Sequence, residues 1–396
     1  MVFDAAVIGG GLLGSATAYH LVAAGARTVL VDRADAGRAT DAGAGILSPE
    51  TNSRDPEAWF RLATAAVEYY PALGDRLRGE QAGDTGYARC GKLVVAVTDD
   101  EVEPFARARQ IIFERQRRRG LPKPADLHEV TAAEARELFP PLAPVRAAIY
   151  SREAARVDGR LLNRALRTAA EARGLVVRDG NVERLVREGD RVNGVIVDGE
   201  ILRADAVAIA GGAWSDELGR PLGITIPVAP QRGQIIHLGL AGIDTSRWPM
   251  VSAFHHHYMV AWPDSRVVAG ATRETGSGFA PYTTTAGVRE VLDEALRVAP
   301  GLAAAEVREI RIGLRPLTPD TLPILGPVPG IPGLFLVTGH GPTGLTLGAY
   351  SGKLVAAQML GHPPETDLSA FSVARFAPLY SARAPLAADV APGREP

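Results

Sequence analysis

Three glycines, one aspartate and one arginine carry much of the chemistry this sequence offers. Gly9, Gly11 and Gly14 stand in the spacing G-x-G-x-x-G within "VFDAAVIGGGLLGSATAYHLVAAGARTVLVDR". Each glycine has its own task there: a tight turn, close approach of backbone to a pyrophosphate, and close packing of helix on strand. The helix that follows, carrying Ala16, Leu21 and Ala24, aims free N–H groups at the phosphates and closes at Gly25. Asp32 comes eighteen residues after Gly14 and ends the apolar run 28–31, where a carboxylate can accept from a ribose hydroxyl. The pattern predicts a strand over 5–8, a helix, a second strand over 28–31 and dinucleotide binding. A free 2′-hydroxyl suits FAD or NAD better than NADP.

Arg315 stands between Leu314 and Pro316 in "IRIGLRPLTPD". A cation in such a setting needs an anionic partner, because desolvating it alone is costly. The partner is either internal, Asp320 or Glu309, or a carboxylate brought by a ligand. The histidine run in "HHHYMVAW" invites a metal reading. Alternation along a strand places His255 and His257 on one face and His256 with Tyr258 on the other, so three consecutive histidines do not converge on one ion. No metal site is expected.

The elements that position these residues must come from the whole chain. With 396 residues, 46% of them hydrophobic and 22% charged, it can bury a full core and form two or three structural units. A net charge of −2 gives no reason to expect a nucleic-acid or acidic-membrane partner. The basic group Arg115, Arg117, Arg118 and Arg119 ends a helix-like segment opened by Asp99, Asp100 and Glu101, an order that suits a solvated helix dipole. Cys90 is the single cysteine, so no intrachain disulfide forms and a cytoplasmic protein is expected. There is no basic leader and no apolar run of about eighteen residues, which argues against a signal peptide or transmembrane segment.

Further glycine-rich junctions decide between the two cofactors. "GRATDAGAGILSPE", residues 37–50, is a second loop of small residues. "GRLLNRALRTAAEARG" reads as a helix, followed by hairpins turning at Gly189-Asp190 and Asp198-Gly199 and by the strand "AVAIAGG". The far end repeats the device, with a strand over 334–338, a glycine loop over 339–344 and a helix over 345–360. A second strand–glycine–helix junction is what a chain wrapped around an extended flavin dinucleotide needs.

Taken together, "VIGGGLLGSATAYHLVAAG", "AGAGILSP", "ADAVAIAGGAWS", "VVAGATRETG", "GLRPLTPDTLPILG" and "GHGPTGLTLG" resemble the D-amino acid oxidase superfamily of FAD enzymes. The nearest branch is that of glycine oxidase and D-amino acid dehydrogenase, and the resemblance runs from Phe3 to about Gly361. It implies an α/β fold, with a Rossmann-like FAD-binding domain of the GR2 type and a substrate domain built on a mostly antiparallel sheet. It implies that Gly9, Gly11, Leu12, Leu13 and Gly14, with Asp32 and Arg33, hold the ADP half of non-covalent FAD. Thr40, Gly43, Ala44, Gly45, Ile46 and Leu47 would lie along the flavin, and Val182 would meet the adenine through its backbone. Gly211 and Gly212, with Trp214, would lie near the pyrophosphate. Gly339, His340, Gly341, Pro342, Thr343, Gly344, Leu345 and Thr346 would lie against the isoalloxazine ring. Arg315 matches the family arginine that binds the substrate carboxylate, and Tyr258 and His256 would bracket the substrate. No protein acid or base is assigned.

Two departures refine the likeness. Pro342 occupies the place where some glycine oxidases carry a second arginine, which moves the pattern toward D-amino acid dehydrogenases. Gly313 stands near where sarcosine oxidases attach FAD through cysteine. The resemblance implies oxidation of a small amino acid at its C–N bond, with oxygen or a quinone-type carrier as acceptor. Oxidation of a secondary amine such as sarcosine, proline or hydroxyproline is an alternative, and a flavin subunit that only relays electrons is another. A homo-oligomer is compatible with either. The expected FAD domain comprises 1–84, 151–226 and 309–380, the substrate domain 85–150 and 227–308, and 381–396 a disordered tail.

Overall fold

The computed structural model describes residues 2–53, 55–220 and 224–377; the expected tail lies outside them. The first sheet is built on the strand Val2–Ile8, which pairs in parallel with Thr28–Asp32 on one side and Glu200–Ile209 on the other. Val176–Asp179 extends it beyond Asp32. The second hairpin strand of the sequence reading feeds into Glu200–Ile209, with the tight turn at Asp198 and Gly199 in left-handed backbone. Leu334–Thr338 joins the same strand at residues 207–209. Ala5–Ile8, Val29–Val31 and Val207–Ile209 are buried apolar runs, as strands covered on both faces must be.

One face is covered by the helices Leu12–Ala23, Glu57–Gly79, Gly159–Ala172 and Gly344–Met359. The first and last of these touch closely at a glycine: a Cβ on Gly352 would lie 2.7 Å from Ala16 Cβ and from the Thr17 nitrogen. The junction 344–360 therefore packs directly on the junction 9–14, and both helices open toward the same edge of the sheet.

The second sheet runs from Glu274–Thr275 through Ala229–Gly239, Arg266–Gly270, Tyr258–Trp262, Met250–Ser252, Lys92–Ala96 and Ala147–Ser151 to Leu127–Val130. Every pairing in it is antiparallel except that of Met250–Ser252 with Lys92–Ala96. The strand Glu306–Leu317 also belongs to it, in register with Ala229–Gly239 from Gly239↔Glu306 to Ala229↔Leu317. This corrects the boundary expected at 309, which would cut a continuous strand; the ladder with 229–239 holds its whole length in the second sheet. The basic run ends the helix Val102–Arg119, capped by Gly120 in left-handed backbone, with Arg118 and Arg119 paired to Glu57 and Glu68. No helix among the described residues is long and apolar enough to cross a membrane.

Candidate active site

A cleft of about 1650 Å³, counted with its open mouth, runs where the carboxyl ends of the parallel strands face the second sheet. That edge is where open α/β sheets bind ligands. Gly9, Gly11, Leu12, Leu13, Asp32, Arg33, Thr40, Val182, Gly211, Gly212 and Trp214 all line it. The glycines are there for room. Gly9 has a φ of +106°, and a Cβ on it would stand 2.5 Å from the Ala210 carbonyl oxygen. Gly10, which the fingerprint passes over, would place a Cβ 2.5 Å from Asp32 Oδ2. Gly14 does not line the cleft; a Cβ there would stand 1.8 Å from the Gly9 oxygen, so its task is to seat the helix under the turn.

Asp32 ends its strand at the cleft and accepts from Arg38 Nη2 at 2.6 Å. Arg33 pairs with Asp35 at 2.5 Å and with Glu217 at 3.1 Å, closing this end around Asn181 and Val182. Trp214 stacks on Phe279, ring centres 5.6 Å apart. Sequence reasoning missed Arg38 and Glu217, since nothing in their spacing distinguishes them from other surface charges.

The middle of the cleft is made by two loops pressed together. Gly43, Ala44, Gly45 and Ile46 line it from one side, and His340, Gly341, Pro342, Gly344, Leu345 and Thr346 from the other. The Thr346 hydroxyl donates to the Ile46 carbonyl at 2.9 Å, and the Tyr70 hydroxyl donates to the Leu345 carbonyl. The helix Gly344–Met359 begins here with no acidic residue in its first turn, so its positive dipole end faces the cleft uncompensated. His340 is buried; its Nε2 meets Ser351 Oγ at 3.0 Å, and burial pushes its pKa down to about 3. Its Nδ1 is buried without a partner among the described residues. Leu47, Gly339 and Thr343 lie behind this lining rather than in it. Gly313 does line the cleft; Cys90 does not, and it bears a thiol whose pKa burial raises.

The remaining wall of the cleft is built from the second sheet. Arg315 is half-buried and lines the cleft beside Tyr258. Its Nη1 donates to the Thr272 carbonyl at 2.9 Å and to Gln231 Oε1 at 3.4 Å. Neither internal carboxylate considered from the sequence reaches it: Asp320 pairs with Arg375 at 2.6 Å, and Glu309 with Arg311 at 2.8 Å. Burial pushes the Arg315 pKa down, and the phenol of Tyr258 opposes that shift. Burial likewise pushes Tyr258 up, keeping it a neutral phenol, against the pull of Arg315. Space for the guanidinium comes from Gly233, where a Cβ would stand 2.3 Å from Arg315 Nη2.

His256 corrects an expectation. The strand begins only at Tyr258, and residue 256 lies in the preceding turn with a φ of +65°, exposed and away from the cleft. Strand alternation therefore does not carry it to the substrate side. His255 instead meets Glu294 at 3.0 Å, and His257 bonds the His255 carbonyl at 2.7 Å. No group of three His, Cys, Asp or Glu among the described residues could hold a metal.

The DAO family of FAD dependent oxidoreductases matches residues 4–358. The chain belongs to this family. It is therefore an FAD-dependent oxidoreductase that acts on amines or amino acids at a C–N bond. It is 35% identical to a glycine oxidase of Pseudomonas aeruginosa over 93% of this chain and 98% of that protein. It is 40% identical to the uncharacterised oxidoreductase YurR of Bacillus subtilis, again over 93% and 98%. Among solved structures it superposes on an iminodiacetate oxidase from Chelativorans sp. BNC1 with a TM-score of 0.87 at 39% identity, covering 93% of this chain and 98% of the other. The cleft fits the cofactor of this DAO-family enzyme: a side-chain-free cradle at one end, the unpartnered His340 Nδ1 in the middle, and the acid Asp32 lining it at the end of its strand.

Proposed function

We propose that the chain oxidises a small amino acid of the glycine or D-amino acid type, with Arg315 gripping the substrate carboxylate. The observation that carries this reading is the Arg315 guanidinium itself, which lines the cleft and has no carboxylate partner among the described residues. A planar fork of donors matches a carboxylate bidentately. The bond from Nη1 to the Thr272 carbonyl occupies part of the fork and fixes its direction.

FAD, when bound, supplies the hydride acceptor. The residues of the chain place and shield the substrate. Gly9 to Gly14, Asp32 and Arg33 hold the ADP portion in this reading, and the loops 43–47 and 339–346 enclose the ring. Tyr258, kept neutral, offers a hydroxyl beside the carboxylate. His340 stays neutral through the working pH range, so it adds no cation to the ring's surroundings. No side chain of the substrate end is placed as a proton acceptor. The amine enters uncharged, and positioning in a dry cleft contributes most of the rate.

Oxidation of a secondary amine is a second reading. One observation favours it: the iminodiacetate oxidase among the structural relatives. The reading sets the reaction in the cytoplasm, with oxygen or a quinone-type carrier taking the electrons.

Arg315→Ala tests the assignment. Removing one partner of a desolvated charge pair costs about 2–5 kcal/mol, so KM for carboxylate substrates should rise about thirtyfold or more while the protein stays yellow. Steady-state kinetics on an amino-acid and N-methyl amino-acid panel decide it; an unchanged KM would remove Arg315 from the site.

A further inference from the structure

The substrate end holds a second cation that the oxidation itself does not employ. Arg273 lies in the short connection between two strands of the second sheet, Arg266–Gly270 and Glu274–Thr275, and it lines the same cleft as Arg315 and Tyr258. The two arginines are joined through one peptide: the Thr272 carbonyl that accepts from Arg315 Nη1 belongs to the residue directly before Arg273. They differ in depth. Arg315 is half-buried and Arg273 exposed, so of the two cations lining the cleft Arg273 is the more open to solvent.

The carboxylates near them are committed elsewhere. Glu274, next in sequence, pairs with Arg232 at 2.6 Å and accepts from Gln234 Nε2 and Thr272 Oγ1. Glu309 serves Arg311 and Arg160. Among the described residues, neither Arg273 nor Arg315 has an ion-pair partner. Two like charges facing one cavity repel, and Arg273 adds to the burial that disfavours the charged form of Arg315. An anion on each guanidinium removes that repulsion.

We propose that Arg273 binds a second carboxylate, so that the preferred substrate is a small amine carrying two carboxylates. The proposal rests on the reading of Arg315 given above. A C–H bond next to nitrogen breaks and its hydride passes to the flavin. The nitrogen lone pair forms the C=N bond, and the N–H proton leaves to solvent. Water then adds and the C–N bond breaks, giving an oxo acid and the remaining amine. Oxygen or a quinone takes the two electrons from the reduced flavin. Arg273 takes no part in these bond changes; it selects and orients.

Calorimetric titration of the holoenzyme with two unreactive ethers tests this. Diglycolate has two carboxylates and no amine; methoxyacetate is its single-carboxylate counterpart. Diglycolate should bind at least about fivefold more tightly to the native protein, the gain of a partly exposed but bidentate ion pair. R273Q should collapse that preference, and R273K should restore part of it. In turnover, R273Q should raise KM for iminodiacetate several-fold more than KM for sarcosine, with kcat for iminodiacetate less affected than KM. Equal affinity for the two ethers in the native protein, or a preference that survives R273Q, overturns the proposal. If methoxyacetate binding is lost in R315Q while Arg273 adds nothing for diglycolate, only the second site fails. If neither ether responds to R315Q, the Arg315 reading fails with it.

Discussion

The two ends of the cleft are built from opposite resources. At the end proposed for ADP the chain works by having no side chains: Gly9, Gly10 and Gly14 each sit where a Cβ would strike backbone or Asp32. At the end proposed for the substrate it works by projecting them, with Arg315, Tyr258 and Arg273 lining the cleft from the second sheet. The first design tolerates no added atom. The second tolerates exchange, provided charge and reach are kept. A cofactor half held by sterics and a substrate half held by side-chain chemistry can change at very different rates.

The contrast predicts a graded series of losses. Gly14→Val should have the largest effect, since even the first added carbon overlaps the Gly9 oxygen. The protein should purify without flavin, if it folds, and a visible absorption ratio equal to the native one would break the steric account of that end. Arg315→Ala comes next, with its rise in KM and retained colour. Asp32→Asn should follow, weakening FAD by about ten- to hundredfold, the worth of a charge-assisted hydrogen bond with Arg38 left facing a neutral amide. Titrating apoprotein with FAD by flavin fluorescence measures it, and an unchanged Kd would separate Asp32 from the ribose.

The smallest effect concerns stability rather than ligands. Burial pushes His237, in the second sheet, down to about 4, and Arg266 donates to its Nδ1 at 2.8 Å. The folded protein keeps this ring neutral where an unfolded chain protonates it near pH 6.5. The unfolded state therefore binds more protons, and stability is lost as pH falls from about 6.5 toward 4, by at most about 1.4 kcal/mol per pH unit for the group. Replacing His237 with Gln should flatten that acid limb in denaturant melts; a parallel curve would assign the limb to the carboxylates instead.

The same contrast explains what could be read from the sequence. The strand–glycine–helix junctions at 9–14 and 339–346 were legible because close backbone approach leaves only one residue type that fits. Arg315 was legible because a cation among apolar neighbours asks for an explanation. His256 departs from strand alternation because residues 254–256 form a turn before the strand begins at Tyr258. The boundary at 309 was misplaced for a related reason: the ladder joining 229–239 to 306–317 spans residues far apart in sequence, and no local signal marks it. Arg38 and Arg273 were invisible, as their setting exists only once both sheets are in place.

Gly233 gives the arrangement a permissive position. It lines the cleft without a side chain of its own, yet a single methyl group there would displace the Arg315 fork from its seat. A sequence that keeps the arginine but replaces this glycine cannot present the anchor in the same pose. Counting arginines alone would then misassign such enzymes, whereas reading the two positions as a couple sorts them by the acids they can grip.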